Sequence, residues 1–410
     1  MISPELCIRC KGKLLCGLSR CPILEKSSSS SKIVSSMVGT DFVGASPPGF
    51  FVSWQNYPKV AVAPLSALSS EISNISDSPE KWYGTPQEKI ISFRESLLRS
   101  YKTMPVSLAS DPNYELISFQ EIAMASNVFE MEVSLVHKPI LETSFDSFTA
   151  PLGPSAKLNK ISLMENPSIP KEIDHYNSDT DAKANTALID LFKKGFPVST
   201  LAKVLSSGAL GVKKHRKIVP TRWSITATED NIGKHFIEKI KEFSLIDSIQ
   251  VFEDTYFDNK FIILLLPKPW SFEQLECWVP GSIWNMESDP SKAKIIHDHE
   301  FFDGQKGYAN NVTGAYYAVR LSILEYLMEN KKQAMVVAFR EIGEGYKLPL
   351  GSWVCGETAK AAMKKEPKLF SNLELAFEYI GKKLKVPIQK WKQESAVLDF
   401  YNKQKTLFDF

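Results

Sequence analysis

The sequence predicts an α+β fold, with mixed, mostly antiparallel sheets, packed helices and a small four-cysteine metal knuckle at the N-terminus. Three observations predict it. Short apolar runs at 249–255 and 260–266, joined through Asp258-Asn259, read as a strand hairpin. Apolar residues three and four apart over 314–329 read as an amphipathic helix. Elements of the two kinds follow one another in mixed order, without the regular alternation of a doubly wound sheet. At 410 residues and 43% hydrophobic, the chain can bury more than one core, since single cores rarely grow beyond about 250 residues.

Taken in order, residues 1–25 carry four of the six cysteines, and 26–43 form a linker containing a serine run at 27–31. Ordered structure is expected from about Gly44, with a turn at 46–49, a strand at 50–54 and its hairpin partner at 60–63. Helices follow at 86–101 and 115–126, then a strand at 129–136. Residues 139–171 are proline-rich, and 179–194 and 200–206 read as helices. The stretch 208–233 then supplies a basic loop, a strand over 222–228 and the start of a helix over 230–243. Residues 267–312 read as irregular. A strand at 335–340 and helices at 358–365, 372–383 and 389–403 complete the pattern. Two large regions, 44–267 and 268–403, are expected, with a terminal tail at 404–410.

Lysines and arginines number 49 against 47 acidic residues, so a uniformly basic nucleic-acid coat is excluded and any such binding needs local patches. No apolar run approaches the roughly 18 residues of a membrane span, and the N-terminus has no signal-peptide core, so the chain reads as cytoplasmic.

Cys7, Cys10, Cys16 and Cys21 have the spacing C-x2-C-x5-C-x4-C. Four thiolates at this spacing close a tetrahedral Zn2+ site with no open position, which is structural rather than catalytic. An iron–sulfur cluster would use the same ligands, and zinc is the preferred reading. Cys277 and Cys355 stand alone and read as small core residues.

The 208–233 stretch combines the basic run Lys213, Lys214, His215, Arg216 and Lys217 with a strand and a helix start. Positive charge beside a helix N-terminus is how phosphate sites are often assembled. Arg222, Thr226 and Asp230 are the candidates here, with Arg320 as a further one, for an enzyme acting on a nucleotide or nucleic acid. A surface loop feeding ordinary elements is the plainer reading. Arg320 falls beside the apolar face of its helix, where a guanidinium needs a carboxylate or phosphate partner. His297 and His299 share one strand face, but without a third ligand they do not define a metal site. Asp179 and Asp181 read as capping groups. The lysines around Trp391 at 382–392 read as a phosphate patch or a solvated helix face. The common nucleotide-loop, hydrolase and metalloprotease motifs are absent, which leaves enzymatic activity open.

The chain ends Gln404-Lys405-Thr406-Leu407-Phe408-Asp409-Phe410. Gln404, Leu407 and Phe410 at three-residue intervals suit one 3₁₀ turn carrying a two-pronged apolar plug. This resembles the peptide by which replication and repair proteins dock on the sliding clamp PCNA, with Phe408 available for the missing second aromatic.

Several segments together resemble the archaeal Nre family of DNA repair proteins: CIRCKGKLLCG, SPPGFFVSWQNYPKV, RKIVPTRWSIT, GAYYAVRLSILEYL and LPLGSWV. The resemblance runs in order along nearly the whole chain. It implies a role in the archaeal DNA-damage response in which the C-terminal tail engages PCNA, and the metal knuckle and the basic run 213–217 are expected to contact DNA or a partner. It supplies no catalytic residues.

Overall fold

The computed structural model describes residues 15, 34–35, 37, 39–68, 72–139, 152–280, 282, 285, 289, 292–346 and 349–403. The cysteine cluster, the serine-rich linker up to residue 33 and the tail 404–410 lie outside the described residues. The chain divides into two compact units, at Ile232 and Gly233.

In the first unit, β1 (Asp41–Val52) and β2 (Lys59–Ala67) form an antiparallel hairpin. β3 (Leu98–Pro105) pairs with β2, and β4 (Phe129–Leu135) with β1. β5 (Ser155–Leu163) closes the ring, antiparallel to β4 and parallel to β3. Helix α1 (Gln87–Glu95) precedes β3, and α2 (Tyr114–Met124) lies between β3 and β4. A closed barrel in the order β1-β2-β3-β5-β4, with a helix after its third strand, has the topology of an OB barrel. Phe50, Val52, Val60, Val62, Met131 and Val133 fill it, and α2 adds Leu116, Phe119 and Ile122 to the same core. Asn113 Oδ1 starts α2 by accepting the Leu116 N–H at 3.0 Å.

Two expectations are corrected here. The turn at 46–49 is part of β1, whose pairing with β2 shifts register between Ala45 and Gly49. Pro47 and Pro48 fall in that shift, where no ladder donor is required. Gly49 is needed there because a Cβ would lie 2.7 Å from Leu65 Cβ. The helix expected over 86–101 stops at Glu95, and Leu98 opens β3.

Helices α3 (Lys171–Ser178), α4 (Ala184–Lys193), α5 (Val198–Ser206) and α6 (Thr221–Ile240) follow. The expected helix over 179–194 starts only at Ala184, after a turn. Asp179 and Asp181 do not cap it, since its N-cap is Lys183 without a side-chain cap bond; Asp179 Oδ1 instead accepts the Asp181 and Ala182 N–H groups at 2.9 and 3.0 Å within the preceding turn. These bonds hold its carboxyl below the usual range. The expected strand over 222–228 does not form. It is the first half of α6, in which Ser224, Thr228, Ile232, Phe236 and Ile240 are buried at every fourth position.

The second unit contains β7 (Ile249–Tyr256), β8 (Asn259–Leu266), β9 (Ser271–Trp278), β10 (Ile295–Glu300), β12 (Met335–Ile342) and β13 (Lys368–Phe370) in one sheet, ordered β10-β9-β12-β8-β7-β13. β6 (Ser244–Leu245) and β11 (Lys332–Gln333) make a two-stranded parallel pair. β12 runs parallel to β9 and antiparallel to β8, so the sheet is mixed. The expected hairpin over 249–266 forms. The region read as irregular holds β9 and β10, so the sheet crosses position 267/268.

Helices α7 (Gly314–Asn330) and α8 (Trp353–Met363) pack together on one sheet face, through Phe272–Tyr316 and Phe252–Tyr326 ring contacts and a Ser322 bond to Gly356 O. Helices α9 (Leu373–Lys383), α10 (Ile388–Glu394) and α11 (Ala396–Lys403) cover the other, with Phe377, Ile380, Trp391 and Leu398 against Leu264, Leu275 and Phe339. Helices on both faces explain why β8 is buried nearly end to end. The expected single helix over 389–403 is two, α10 and α11. Cys277 and Cys355 are buried as expected, and burial pushes the Cys277 thiol up to about 12. Among the described residues no helix is long and apolar enough to cross a membrane.

Candidate nucleic-acid interface on the barrel

Strand alternation sends Val60 and Val62 into the barrel and Lys59 and Ala61 outward. Pro105 lies opposite Lys59 and Thr103 opposite Ala61, while Lys157 of β5 lies opposite Tyr101. Lys59, Thr103 and Lys157 are exposed. The outer side of β2, β3 and β5 is therefore a polar and basic face.

Aromatic rings gather at one end of this face. The β1–β2 loop carries Trp54 and Tyr57, which are 53% and 48% exposed. Trp223, in the first turn of α6, is 42% exposed, and its ring centroid lies 5.2 Å from that of Tyr57. The exposed Arg222 is its neighbour. The start of α6 is fixed to the barrel, because the Val52 N–H donates to Thr221 Oγ1 at 2.8 Å. Ile218 N–H donates to Val106 O at 2.9 Å, and Ser206 Oγ donates to Val219 O at 2.6 Å. Three large rings are thus held out of the core near this end, two of them, Tyr57 and Trp223, in contact.

The face continues along β2, about 20 Å by strand rise from Lys59 to Leu65. Beside the start of α6 lies a cavity of about 80 Å³ lined by Phe51, Leu65, Arg94, Arg99, Lys203 and Thr221, among others. Asp77 also lines it, 3.5 Å from Lys203 Nζ and 3.9 Å from an Arg94 nitrogen. Burial raises the Asp77 pKa and lowers that of Arg94. Arg99 also lines the cavity, its Nε donating to Gly153 O at 3.0 Å.

The residues expected from sequence are distributed differently. Lys213, Lys214 and Lys217 are exposed. Arg216 is committed to structure, donating to Gly211 O at 2.8 Å, Asn177 O at 2.9 Å and Asp179 O at 3.0 Å. Arg222, Thr226 and Asp230 follow one another at four-residue spacing on α6, and Thr226 Oγ1 donates to Arg222 O at 3.3 Å. The phosphate-binding helix N-terminus expected at Asp230 is not there, because α6 begins upstream at Thr221. Arg320 has its structural partner: one guanidinium nitrogen lies 2.7 Å from Glu300 Oε2, both side chains buried. Glu300 Oε1 also accepts the Trp270 indole N–H at 3.2 Å. Trp391 is buried in the core, while Lys382 and Lys383 pair with Glu378 and Glu253, the arrangement of a solvated helix face. Cys7, Cys10, Cys16, Cys21, Gln404, Leu407, Phe408 and Phe410 lie outside the described residues.

Sequence reasoning passed over Trp54, Tyr57, Trp223, Lys59 and Lys157. The available signal was a pair of aromatics inside a hairpin loop, where folding alone does not require them.

The architecture is thus an OB-topology barrel followed by a mixed sheet covered by helices on both faces. The chain belongs to the archaeal Nre family: residues 15–285 match the family's N-terminal region and 300–410 its C-terminal region. It is 34% identical to DNA repair protein NreB of Archaeoglobus fulgidus, over 98% of this chain and 99% of that protein. It is 36% identical to DNA repair protein NreA of the same organism, over 90% and 91% of the two chains. DNA repair protein NreA of Haloferax volcanii is 33% identical over 80% of this chain and 79% of that protein. No solved structure matches it.

Proposed function

We propose that this chain is a DNA repair factor that holds single-stranded DNA on the outer face of its barrel and is tethered to the sliding clamp PCNA by its tail. The observation that carries the first part is the exposed Trp54, Tyr57 and Trp223 cluster beside Lys59 and Arg222 on an OB-topology barrel. Single strands bind such barrels by stacking bases on aromatic rings while cations follow the phosphates. Duplex DNA hides its base faces and makes poor use of rings. The exposed Lys213, Lys214 and Lys217 add a second, non-specific source of positive charge.

The clamp contact rests on sequence alone, with Gln404, Leu407 and Phe410 as the docking set and Phe408 as the substitute aromatic. The N-terminal cysteines Cys7, Cys10, Cys16 and Cys21 serve in this reading as a structural Zn2+ knuckle that presents basic residues to DNA or to another repair protein. The relatives named as DNA repair proteins support a role in that process.

The test is fluorescence anisotropy with labelled single-stranded and duplex oligonucleotides of equal length. Tighter binding of the single strand, weakened by Trp54→Ala, supports the reading. Equal binding of both forms, unaffected by that substitution, overturns it.

A further inference from the structure

In the second unit, Glu273, His297 and His299 bring a carboxylate and two imidazoles together, with candidate ligand atoms all within 4.8 Å of one another. We propose that they bind a divalent transition-metal ion of the zinc class, in a site with a coordination position open to solvent.

The arrangement follows from strand register. β9 and β10 are antiparallel, with His299 directly opposite Glu273 and His297 opposite Leu275. Residues two apart on a strand share a face, so both histidines point to the side that carries Glu273. The sequence shows the two histidines but not the third ligand, because the carboxylate comes from the neighbouring strand.

Glu273 is held as a ligating carboxylate has to be. Its side chain is fully buried. Oε1 accepts the Ala396 N–H at 2.9 Å, and Oε2 accepts the Val397 N–H at 3.2 Å and the Ser395 hydroxyl proton. All three donors come from the start of α11, leaving the opposite side of the carboxylate to the histidines. Hydrogen bonds that orient a carboxylate in this way are the usual support of a metal ligand.

His297 Nδ1 lies 2.8 Å from Glu273 Oε1, and it is buried without an in-line hydrogen bond. At this distance they form an ion pair in the metal-free protein, and an ion entering between them has to part them by about 0.6 Å. The His299 ring is nearly parallel to that of His297, with centroids 5.7 Å apart and planes 14° apart, and Phe301 packs edge-on against it at 5.0 Å. Both imidazoles are thereby restricted in orientation. Tetrahedral zinc with bonds of about 2.1 Å asks for ligand separations of about 3.4 Å, so with all candidate atoms within 4.8 Å of one another no pair has to close by more than about 1.4 Å.

Two imidazoles and one carboxylate suit zinc and its first-row neighbours rather than Mg2+ or Ca2+. Three protein ligands leave a fourth position, and the partial exposure of both histidines leaves it to solvent. His297 and His299 line a cleft of about 320 Å³ whose other side carries Lys306, Tyr308 and Asn311. Asp298, on the other strand face, accepts the Asn311 and Val312 N–H groups at 2.9 and 2.6 Å, and Asn311 donates to His297 O at 2.8 Å. The cleft wall is thus tied to the strand that carries the histidines.

Without an ion, the same groups form a capping network in which Glu273 anchors α11 and His297 offsets its charge. Metal stoichiometry separates the two accounts. The experiment uses the full chain, His299→Ala and His297→Ala, each stripped of metal and titrated with Zn2+ against a chromophoric chelator, then with Co2+. The expected result is one Zn2+ equivalent fewer in each variant, or at least tenfold weaker binding of that equivalent. The corresponding Co2+ spectrum should show ligand-field bands without thiolate charge transfer, which distinguishes this site from the N-terminal cysteines. Among the described residues His299 contributes ring contacts only, so His299→Ala should unfold at the wild-type temperature. Equal Zn2+ stoichiometry and affinity in all three proteins would overturn the proposal, as would a Co2+ spectrum of thiolate type only.

Discussion

Removing the ring of Trp54 should weaken single-stranded DNA binding while leaving the fold in place. Trp54 is 53% exposed, so its truncation opens no internal cavity and the unfolding midpoint should barely move. A base stacked on one aromatic ring contributes about 1–3 kcal/mol, which corresponds to about a 5- to 150-fold loss for Trp54→Ala. Tyr57 and Trp223 touch, with centroids 5.2 Å apart, so they are expected to act as one platform. The Tyr57→Ala and Trp223→Ala losses should therefore not add, whereas either should add to that of Trp54→Ala. The phosphate contribution is read from salt. If Lys59, Lys157 and Arg222 each neutralise one phosphate, log affinity should fall against log salt with a slope of about −2 from these three. Replacing all three by glutamine should remove that part of the slope and leave the stacking losses unchanged. The assay is anisotropy of a labelled oligothymidine at several salt concentrations, with thermal unfolding as the control. Wild-type affinity in both Trp54→Ala and the Tyr57→Ala/Trp223→Ala double variant, at matched salt and stability, would refute the stacking platform.

Three further outcomes are expected. Arg320→Ala should destabilise the second unit by about 3–5 kcal/mol in urea unfolding, because it strands Glu300 in a buried environment. Deleting 404–410 should abolish clamp binding in calorimetry without changing the unfolding midpoint, whereas unchanged clamp affinity would remove the tail from the docking interface. Replacing Cys7 and Cys10 by serine should remove one metal equivalent by elemental analysis, and an unaltered metal content would exclude the cluster as a ligand set.

Much of the second unit was legible because its strongest elements are apolar in the pattern their geometry requires. The 249–266 hairpin, the helix at 314–330 and the strand at 335–342 carry their burial in residue type. β9 did not, because Glu273, Gln274 and Glu276 are buried polar residues that interrupt the apolar run. Gln274 is fully buried in mid-sheet, an environment no residue-type reading assigns to glutamine. The helix α6 was hidden in the same way. Thr221, Trp223, Ile225 and Thr226 favour strands locally, and the buried face that makes the helix begins with Ser224 and Thr228. The barrel was illegible for a further reason: its closure depends on β5 meeting both β4 and β3, and on β1 serving two partners across its proline-containing shift. Such pairings are a property of register, which a single sequence does not display.

The misreading of α6 also changes what its residues can do. A strand over 222–228 followed by a helix start at Asp230 would aim free N–H groups at a phosphate. In the actual helix the N–H groups around Asp230 lie beyond the first turn, so that source of anion binding is lost. What remains is the first turn itself, where Arg222 and Trp223 stand outside and Thr221 is bonded to the barrel. One ring and one cation from α6 thereby join two rings and a lysine from the β1–β2 hairpin. The segment thus offers an exposed ring and cation at its first turn rather than free N–H groups at Asp230. Arg222 separates the two uses in measurement: a surface contact predicts a loss that shrinks as salt rises, whereas a catalytic phosphate ligand predicts a defect that persists at high salt.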